Sequence, residues 1–312
     1  MPRSHPARPS TTSTTPAGAV APRLLIVGCG DVGMRVLRRV PPGWEVFALT
    51  SSPARREVLR AAGAIPLLGN LDDPRSLRRL AGLATHVLHL APPQASGARD
   101  ERTRHLLHAL RRGPAPGVLV YASTTGVYGD AGGAWLDETS ALRPRSDRAH
   151  RRVDAERALR AFGQATGAHV GVLRVPGIYA WDREGGHPRE RLARGTPVLA
   201  AADDVYTNHI HADDLARACL RTLLRAPAGR VFNVCDDTQL RMGDYFDLAA
   251  DLCGLPRPPR ISREEARAQM SPMQLSFMAE SRRLRNERLY RELRLRLQYA
   301  DVRDGLLAGR PG

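Results

Sequence analysis

Short apolar runs alternate with amphipathic segments along most of the chain. The first run, Leu24–Val27, is bounded by turn residues and predicts a buried strand. The pattern becomes helical from Asp31 to Val40, and Pro41-Pro42-Gly43 then breaks the chain. Further strands are predicted at 44–49, 65–68, 85–90, 117–122 and 169–175, and helices up to 62, over 75–82 and over 147–166. Strands that alternate with helices over short connections predict an α/β fold with a doubly wound parallel sheet.

Beyond Tyr179 the alternation is looser. It predicts a short strand at 197–201, a helix that opens at 206–214 and runs through 224, a strand at 230–235, helices near 241–253 and 262–270, and a mixed tail at 282–297. We therefore predict a nucleotide-binding domain over 23–176 and a smaller C-terminal substrate lobe over 177–312, whose segments interleave with the last sheet elements. Residues 1–22 contain no acidic residue and no apolar core for a secretory signal, which favours a disordered extension over a transit peptide.

Three glycines follow the first strand at G-x-G-x-x-G spacing. Gly28 would make the tight turn, Gly30 would let the backbone approach a pyrophosphate, and Gly33 would let the helix pack closely on the strand. The free N–H groups of the helix N-terminus favour an anion at the same place. Because a strand and a helix flank the motif correctly, it predicts a dinucleotide site formed by Gly28, Cys29, Gly30, Asp31, Val32 and Gly33.

The end of the second strand predicts which dinucleotide binds. An Asp or Glu there would hydrogen-bond a free ribose 2′-hydroxyl and repel a 2′-phosphate. The chain instead offers Ser51, Arg55 and Arg56, whose hydroxyl and guanidinium groups suit a phosphate dianion. This pattern favours NADP over NAD, with the alternative that both arginines are solvated surface residues.

Right-handed crossovers would bring the carboxyl ends of all the strands to one edge, where ligands bind in such sheets. Turn-forming, small and hydroxyl residues stand at several of these ends. The residues predicted to line the edge are Asn70, Leu71, Ala91, Pro92, Ser123, Thr124, Thr125, Pro176 and Tyr179.

Composition limits the partners. The formal net charge is +15, but the chain contains no lysine, and its arginines are interleaved with Asp and Glu without an aromatic-rich basic patch. Nucleic-acid binding is therefore a minor hypothesis, and codon bias explains the arginines. The four cysteines form no C-x-x-C pair, which predicts a reducing cytoplasm and neither disulfides nor a metal site. No apolar run approaches the roughly 18 residues of a membrane helix.

Four motifs together resemble the extended short-chain dehydrogenase/reductases, the family that includes NAD-dependent epimerases and dehydratases of nucleotide sugars. They are G-C-G-D-V-G at 28–33, Y-A-S-T-T-G-V-Y-G-D at 121–130, L-R-V-P-G-I-Y at 173–179 and N-H-I-H-A-D-D-L-A at 208–216. The resemblance covers roughly 23–300. It implies a Rossmann domain, a nicotinamide dinucleotide, a small-molecule substrate and a catalytic hydroxyl at Thr124, next to Ser123.

The same resemblance implies a Tyr-x-x-x-Lys pair, which is missing here. The alignment places Arg148 at the tyrosine position and Arg152 at the lysine position, and there is no tyrosine between 129 and 178. Arginine stays protonated near neutrality, so Arg148 cannot be a general base. Arg152 can still supply positive charge and ribose contacts. Tyr128 is the best-placed substitute acid/base, and the candidate substrate contacts are Thr125, Tyr179, His209 and His211.

Two functions follow as hypotheses. One is an NAD(P)-dependent oxidoreductase, similar to an epimerase or dehydratase, that acts on a nucleotide sugar or a carbonyl compound with a non-standard acid/base. The other is a catalytically silent NAD(P)-binding sensor or regulator. The family resemblance also makes a homodimer through helices near 100–112 and 147–166 an expectation.

Overall fold

The computed structural model describes residues 21–225 and 228–310, so the predicted extension at 1–22 lies outside it except for its last two residues. Fifteen strands are present in this part of the chain: β1 Arg23–Val27, β2 Glu45–Thr50, β3 Ile65–Leu68, β4 His86–His89, β5 Val118–Thr124, β6 Trp135–Leu136, β7 His169–Val175, β8 Gly177–Tyr179, β9 Val198–Leu199, β10 Tyr206–Thr207, β11 His209–His211, β12 Arg230–Asn233, β13 Leu240–Arg241, β14 Arg260–Ile261 and β15 Arg283–Leu284.

Eleven α-helices accompany them within the described residues: α1 Asp31–Leu37, α2 Arg56–Ala61, α3 Glu101–Leu110, α4 Asp147–Thr166, α5 Arg189–Ala193, α6 Ala212–Arg225, α7 Met242–Cys253, α8 Arg263–Gln269, α9 Pro272–Met278, α10 Glu287–Arg291 and α11 Val302–Leu307. Three 3-10 helices cover Pro53–Arg55, Pro74–Leu80 and Thr125–Tyr128. None of these helices is long and apolar enough to cross a membrane.

Seven strands form the central sheet in the order β12-β7-β5-β4-β1-β2-β3, and all its pairings are parallel. The predicted doubly wound α/β fold is thereby confirmed. The chain runs from β1 outward through β2 and β3 and then returns to β4 on the other side of β1. This reversal leaves a crevice at the carboxyl ends of β1 and β4, which is where ligands bind in such sheets.

The central strands are buried on both faces. Side chains of β1 alternate between two apolar layers, with Leu24 and Ile26 in one and Leu25 and Val27 in the other. All four are fully buried. Because burying one such side chain contributes about 1.5–3 kcal/mol, β1 is a rigid support for the residues at its carboxyl end.

The smaller lobe has its own apolar cluster, which includes Tyr179, Tyr245 and Phe246. Two-residue and three-residue strands pair within it as β8 with β11, β9 with β14 and β10 with β13. β12 belongs to the C-terminal part of the sequence yet forms the edge of the main sheet, beside β7.

One predicted element differs in kind. The helix expected over 75–82 is the 3-10 helix Pro74–Leu80. The Asp73 carboxylate accepts a hydrogen bond from the Arg75 N–H at 3.0 Å, and the Ser76 hydroxyl donates to the Asp73 carbonyl at 2.7 Å. These bonds fix the first turn of the element, where Asp73 is the N-cap residue.

Candidate functional site

The glycine turn after β1 sits against the end of β4. Gly28 has a φ of +87°, and a Cβ on it would lie 2.5 Å from the Ala91 backbone nitrogen. Only glycine fits a left-handed turn with such a close approach. A Cβ on Gly33 would meet the Cys29 sulfur at 3.2 Å, so this position serves the packing of α1 on the turn.

Gly30 differs, because nothing lies within 4 Å of where its Cβ would be. The residue lines a cleft, and an added side chain would fill the cleft instead of striking the protein. An open cradle of this kind, next to the first N–H groups of α1, fits the pyrophosphate of a dinucleotide.

An outer cavity of about 400 Å³ runs from this turn towards β2 and β3. It contains most of the residues predicted to hold the adenosine half of a dinucleotide. The cavity is lined by Val27, Gly28, Cys29, Gly30, Leu49, Thr50, Ser51, Arg55, Gly69, Asn70, Leu71, Leu90, Ala91, Pro92 and Arg102. Arg56 is not among these residues.

Two arginines stand on either side of the outer cavity. Arg55 donates to the Cys29 carbonyl at 2.9 Å, which fixes its guanidinium beside the glycine turn. Arg102, on α3, makes a two-pronged ion pair with Asp72 at 2.7 and 2.6 Å. Sequence reasoning missed Arg102, because nothing in the pattern around α3 shows that this helix begins at the cavity.

An inner cavity of about 240 Å³ opens on the other side of the glycine turn. It is lined by Gly28, Gly30, Asp31, Val32, Gly33, Leu90, Ala122, Ser123, Thr124, Arg148, Arg152, Val175, Pro176, Ile178, Arg183 and Leu215. The two cavities share Gly28, Gly30 and Leu90, so together they form one cleft along the carboxyl edge of the sheet.

Thr124 and Ser123 end β5 inside the inner cavity. The Ser123 hydroxyl donates to Glu156 Oε1 at 2.7 Å and is buried. The Thr124 oxygen accepts a weak bond from the Gly126 N–H at 3.3 Å, and the residue is half-buried. Of the two hydroxyls, Thr124 is therefore the one with capacity left for a ligand.

Arg148 and Arg152 lie one turn apart on α4 and line the inner cavity. Arg152 is 7 % exposed and donates to the Tyr121 hydroxyl at 2.9 Å and to the Ala122 carbonyl at 2.8 Å. The helix thus presents two neighbouring cations at the positions where the resemblance implies a tyrosine and a lysine.

The comparison with known families decides the classification. Residues 24–235, about two thirds of the chain, match the NAD dependent epimerase/dehydratase family. The chain belongs to this family. The resemblance to the extended short-chain dehydrogenase/reductases, stated from the motifs, is thereby confirmed.

Individual proteins are similar to this chain at low to moderate identity. Protein YeeZ of Escherichia coli (strain K12) is 26% identical over 247 residues, which cover 76% of this chain and 85% of YeeZ. GDP-6-deoxy-D-mannose reductase of Pseudomonas aeruginosa is 28% identical over 267 residues, which cover 78% of this chain and 86% of the reductase. A solved structure of a functionally unknown conserved protein from Silicibacter pomeroyi is 32% identical, with a TM-score of 0.75 and coverage of 92% of this chain and 97% of that one.

Tyr128, the candidate acid/base, lies behind the inner cavity and does not line it. It is 1 % exposed, its hydroxyl donates to Asn233 Oδ1 at 2.7 Å, and Arg174 donates to it at 2.9 Å. Burial raises the pKa of the Tyr128 phenol to about 12. These contacts favour a structural role over proton transfer.

The candidate substrate residues of the lobe share one face of the β8–β11 pair. Register places His209 opposite Gly177 and His211 opposite Tyr179, while the intervening Ile178 lines the inner cavity. Side chains alternate along a strand, so Tyr179, His209 and His211 point away from that cavity. His209 instead stacks on Tyr245 with ring centroids 3.9 Å apart. Burial lowers the pKa of His209 to about 3, and it also lowers that of His211.

Some of the remaining predicted residues line the inner cavity, and others do not. Pro176 and the α1 residues line the inner cavity, whereas Thr125 is buried in the 3-10 helix behind Thr124 and is absent from that lining. Arg183 was not predicted. It comes from the loop after β8 and donates to Asp31 Oδ2 at 2.6 Å, a contact across 152 residues that no local pattern signals.

Proposed function

We propose that this protein binds NADP(H) in the cleft and transfers a hydride to or from a small molecule at its inner end. The observation that carries the proposal is the continuity of the cleft across the glycine turn. Gly28 and Gly30 line both of its cavities, and the open space at Gly30 suits a pyrophosphate that joins two nucleoside halves. The adenosine half would occupy the outer cavity and the nicotinamide half the inner one.

The preference for NADP rests on the end of β2. Thr50, Ser51 and Arg55 line the outer cavity there, and none of them is acidic. Arg55 is held beside the glycine turn by the Cys29 carbonyl and keeps further N–H donors for a 2′-phosphate.

When bound, the nicotinamide supplies the hydride donor or acceptor. The Thr124 hydroxyl hydrogen-bonds the reacting oxygen, and the charge of Arg152 stands where the family's lysine would. The residues that line the inner cavity include no phenol, imidazole or thiol. Its one carboxylate, Asp31, is held in ion pairs with Arg35 and Arg183. In this proposal the proton is therefore exchanged with water.

A second candidate, the silent NAD(P)-binding sensor, is favoured by the same lack of a phenol, imidazole or thiol in the lining of the inner cavity, whose one carboxylate, Asp31, is held by Arg35 and Arg183. A sensor would bind the dinucleotide equally well and turn nothing over.

Titration of the full chain with NADPH and NADH, followed by fluorescence or calorimetry, tests the cofactor assignment. A charge-assisted hydrogen bond contributes about 1.5–3 kcal/mol, so we expect NADPH to bind about tenfold or more tightly than NADH. Arg55→Gln should bring the two affinities close together, while Arg56→Gln, whose side chain is not in the cavity lining, should keep the preference. Failure of both dinucleotides to bind, or tighter binding of NADH, would refute the proposal.

Turnover separates the enzyme from the sensor. The purified protein with NADP(H) is screened against sugar nucleotides and small carbonyl compounds, with Thr124→Val as the matched variant. Turnover that Thr124→Val abolishes establishes the enzyme. Tight cofactor binding without turnover across the screen favours the sensor.

A further inference from the structure

The charges that line the inner cavity do not balance. Its lining contains three arginines, Arg148, Arg152 and Arg183, but a single carboxylate, Asp31. That carboxylate is already shared between Arg183 at 2.6 Å and Arg35 at 3.1 Å. Arg148 and Arg152 form no ion pair with any acidic residue in the described part of the chain.

Of the two arginines, Arg152 is the one whose charge is buried and most needs a counter-ion. Its guanidinium is almost fully buried, and both of its recorded acceptors, the Tyr121 hydroxyl and the Ala122 carbonyl, are neutral. Burial raises the pKa of Tyr121 to about 12, so this phenol does not supply a counter-charge at neutral pH. The Nε–H of Arg152 has no partner at all. The Asp100 carboxylate attracts Arg152 electrostatically, but it is hydrogen-bonded to Thr103 and forms no ion pair with the guanidinium. A buried charge without a directly paired counter-ion is costly, which points to a ligand that completes it.

The position of Arg148 adds to this cost. Residues spaced i and i+4 on a helix are neighbours, and two like charges in that arrangement repel. An oxyanion between them would turn this repulsion into attraction. Guanidinium groups are suited to this task because their planar forks bind carboxylate and phosphate oxygens in pairs.

We propose that Arg148 and Arg152 form a receptor for an oxyanion of the substrate, a carboxylate or a phosphate, beside Thr124. The receptor itself depends only on the two arginines and the cavity. The assignment of its ligand as the substrate rests on the proposed function, because it takes the outer cavity, the glycine turn and the nicotinamide part of the inner cavity as occupied by the dinucleotide. The substrate class is then an acid, such as a carbonyl or hydroxyl compound that carries a carboxylate or a phosphate ester near the reacting carbon.

The test titrates the full chain, saturated with NADPH, with three probes at constant ionic strength: malonate, inorganic phosphate and the neutral malonamide. Calorimetry measures binding directly, so the readout does not depend on turnover. We expect malonate or phosphate to bind and malonamide not to bind, and the preferred anion identifies the group as a carboxylate or a phosphate.

Arg148→Gln is the informative variant, because Arg148 is exposed and its replacement leaves the core intact. It should weaken anion binding at least tenfold, and Arg148→Lys, which keeps the charge but loses the fork, should weaken it less. Arg157→Gln removes the same charge from the exposed side of α4 and should leave anion binding unchanged. Absence of anion binding, equal binding of malonamide, or an equal loss in Arg157→Gln would overturn the receptor.

The two proposals fail in different ways. If NADPH does not bind, the proposed function is wrong, and the same titration is run on the chain without cofactor. Anion binding that still depends on Arg148 then supports the receptor alone. If NADPH binds but no anion does, the receptor is wrong and the cofactor assignment stands.

Discussion

Replacement of Glu156 should destabilise the protein strongly, because its carboxylate neutralises the most buried arginine of the described chain. Arg174 is 1 % exposed and donates to both Glu156 oxygens, at 3.2 and 2.9 Å. The Ser123 hydroxyl donates to the same carboxylate at 2.7 Å, so the pair also holds the end of β5 at the inner cavity. Removing one partner of a buried pair costs about 3–5 kcal/mol, since the other charge stays buried and unpaired.

Glu156→Gln keeps one acceptor oxygen, so we expect a loss near the lower end of that range, about 3 kcal/mol, and a larger one for Glu156→Ala. The double variant Glu156→Leu/Arg174→Met removes both charges and should be more stable than the sum of its single variants predicts. Urea unfolding followed by circular dichroism measures each free energy of unfolding.

Arg160→Gln is the matched control. Its guanidinium lies 3.9 Å from the same Glu156 carboxylate but is half exposed, and such surface pairs contribute about 0–1 kcal/mol. A cost for Glu156→Gln no larger than that of Arg160→Gln would refute the reasoning. So would strict additivity in the double variant, because it would mean that the two buried charges do not depend on each other.

Two further outcomes follow from the geometry. Gly28→Ala should lower the thermal stability and abolish NADPH binding, because its Cβ would lie 2.5 Å from the Ala91 nitrogen. The control is Gly43→Ala, which has a similar φ of +83° but lies in open space. It should lower the free energy of unfolding by only about 1–2 kcal/mol and keep NADPH binding. Burial lowers the pKa of His89 and of His209 to about 3. Between pH 6.5 and about pH 3, each imidazole is therefore protonated in the unfolded state and neutral in the folded state. Stability should therefore be greatest above pH 6.5 and fall towards pH 3 by about 1.4 kcal/mol per pH unit for each histidine. Histidine NMR titrations that show both imidazoles protonating near pH 6 would contradict this.

The local pattern was sufficient where a segment's structure depends on its own residues. β3, α4 and β7 have the predicted limits of 65–68, 147–166 and 169–175, since their apolar periodicity and flanking turn residues are complete. The glycine turn was readable for the same reason, as strand, turn and helix are contiguous. The helix predicted over 75–82 was found as the 3-10 helix Pro74–Leu80, a difference in kind that apolar periodicity over seven residues does not reveal.

The pattern was insufficient where a role depends on distant residues. Arg102 and Arg183 reach the cleft from elements whose approach to the glycine turn is fixed only by tertiary packing. His209 and His211 stand in the segment 206–214 that was predicted to open a helix, but they form β11, and the register of β11 on β8 turns both away from the inner cavity. A shift of one residue would have reversed this, and sequence alone does not set the register of a three-residue strand.

In the alignment by motifs, Arg148 and Arg152 stand where the family has a tyrosine and a lysine, and they keep only one of the two functions that this pair combines. A lysine beside a tyrosine provides positive charge, and the tyrosine provides a proton. Arg152 keeps the charge at the inner cavity, while the lining there contains no phenol, imidazole or thiol, and its one carboxylate, Asp31, is paired with Arg35 and Arg183. A cation pair that cannot release protons near neutrality still attracts an anion and stabilises negative charge on a nearby oxygen. For the receptor proposed above, the binding of an anion is therefore a more informative measurement than a search for a substitute tyrosine.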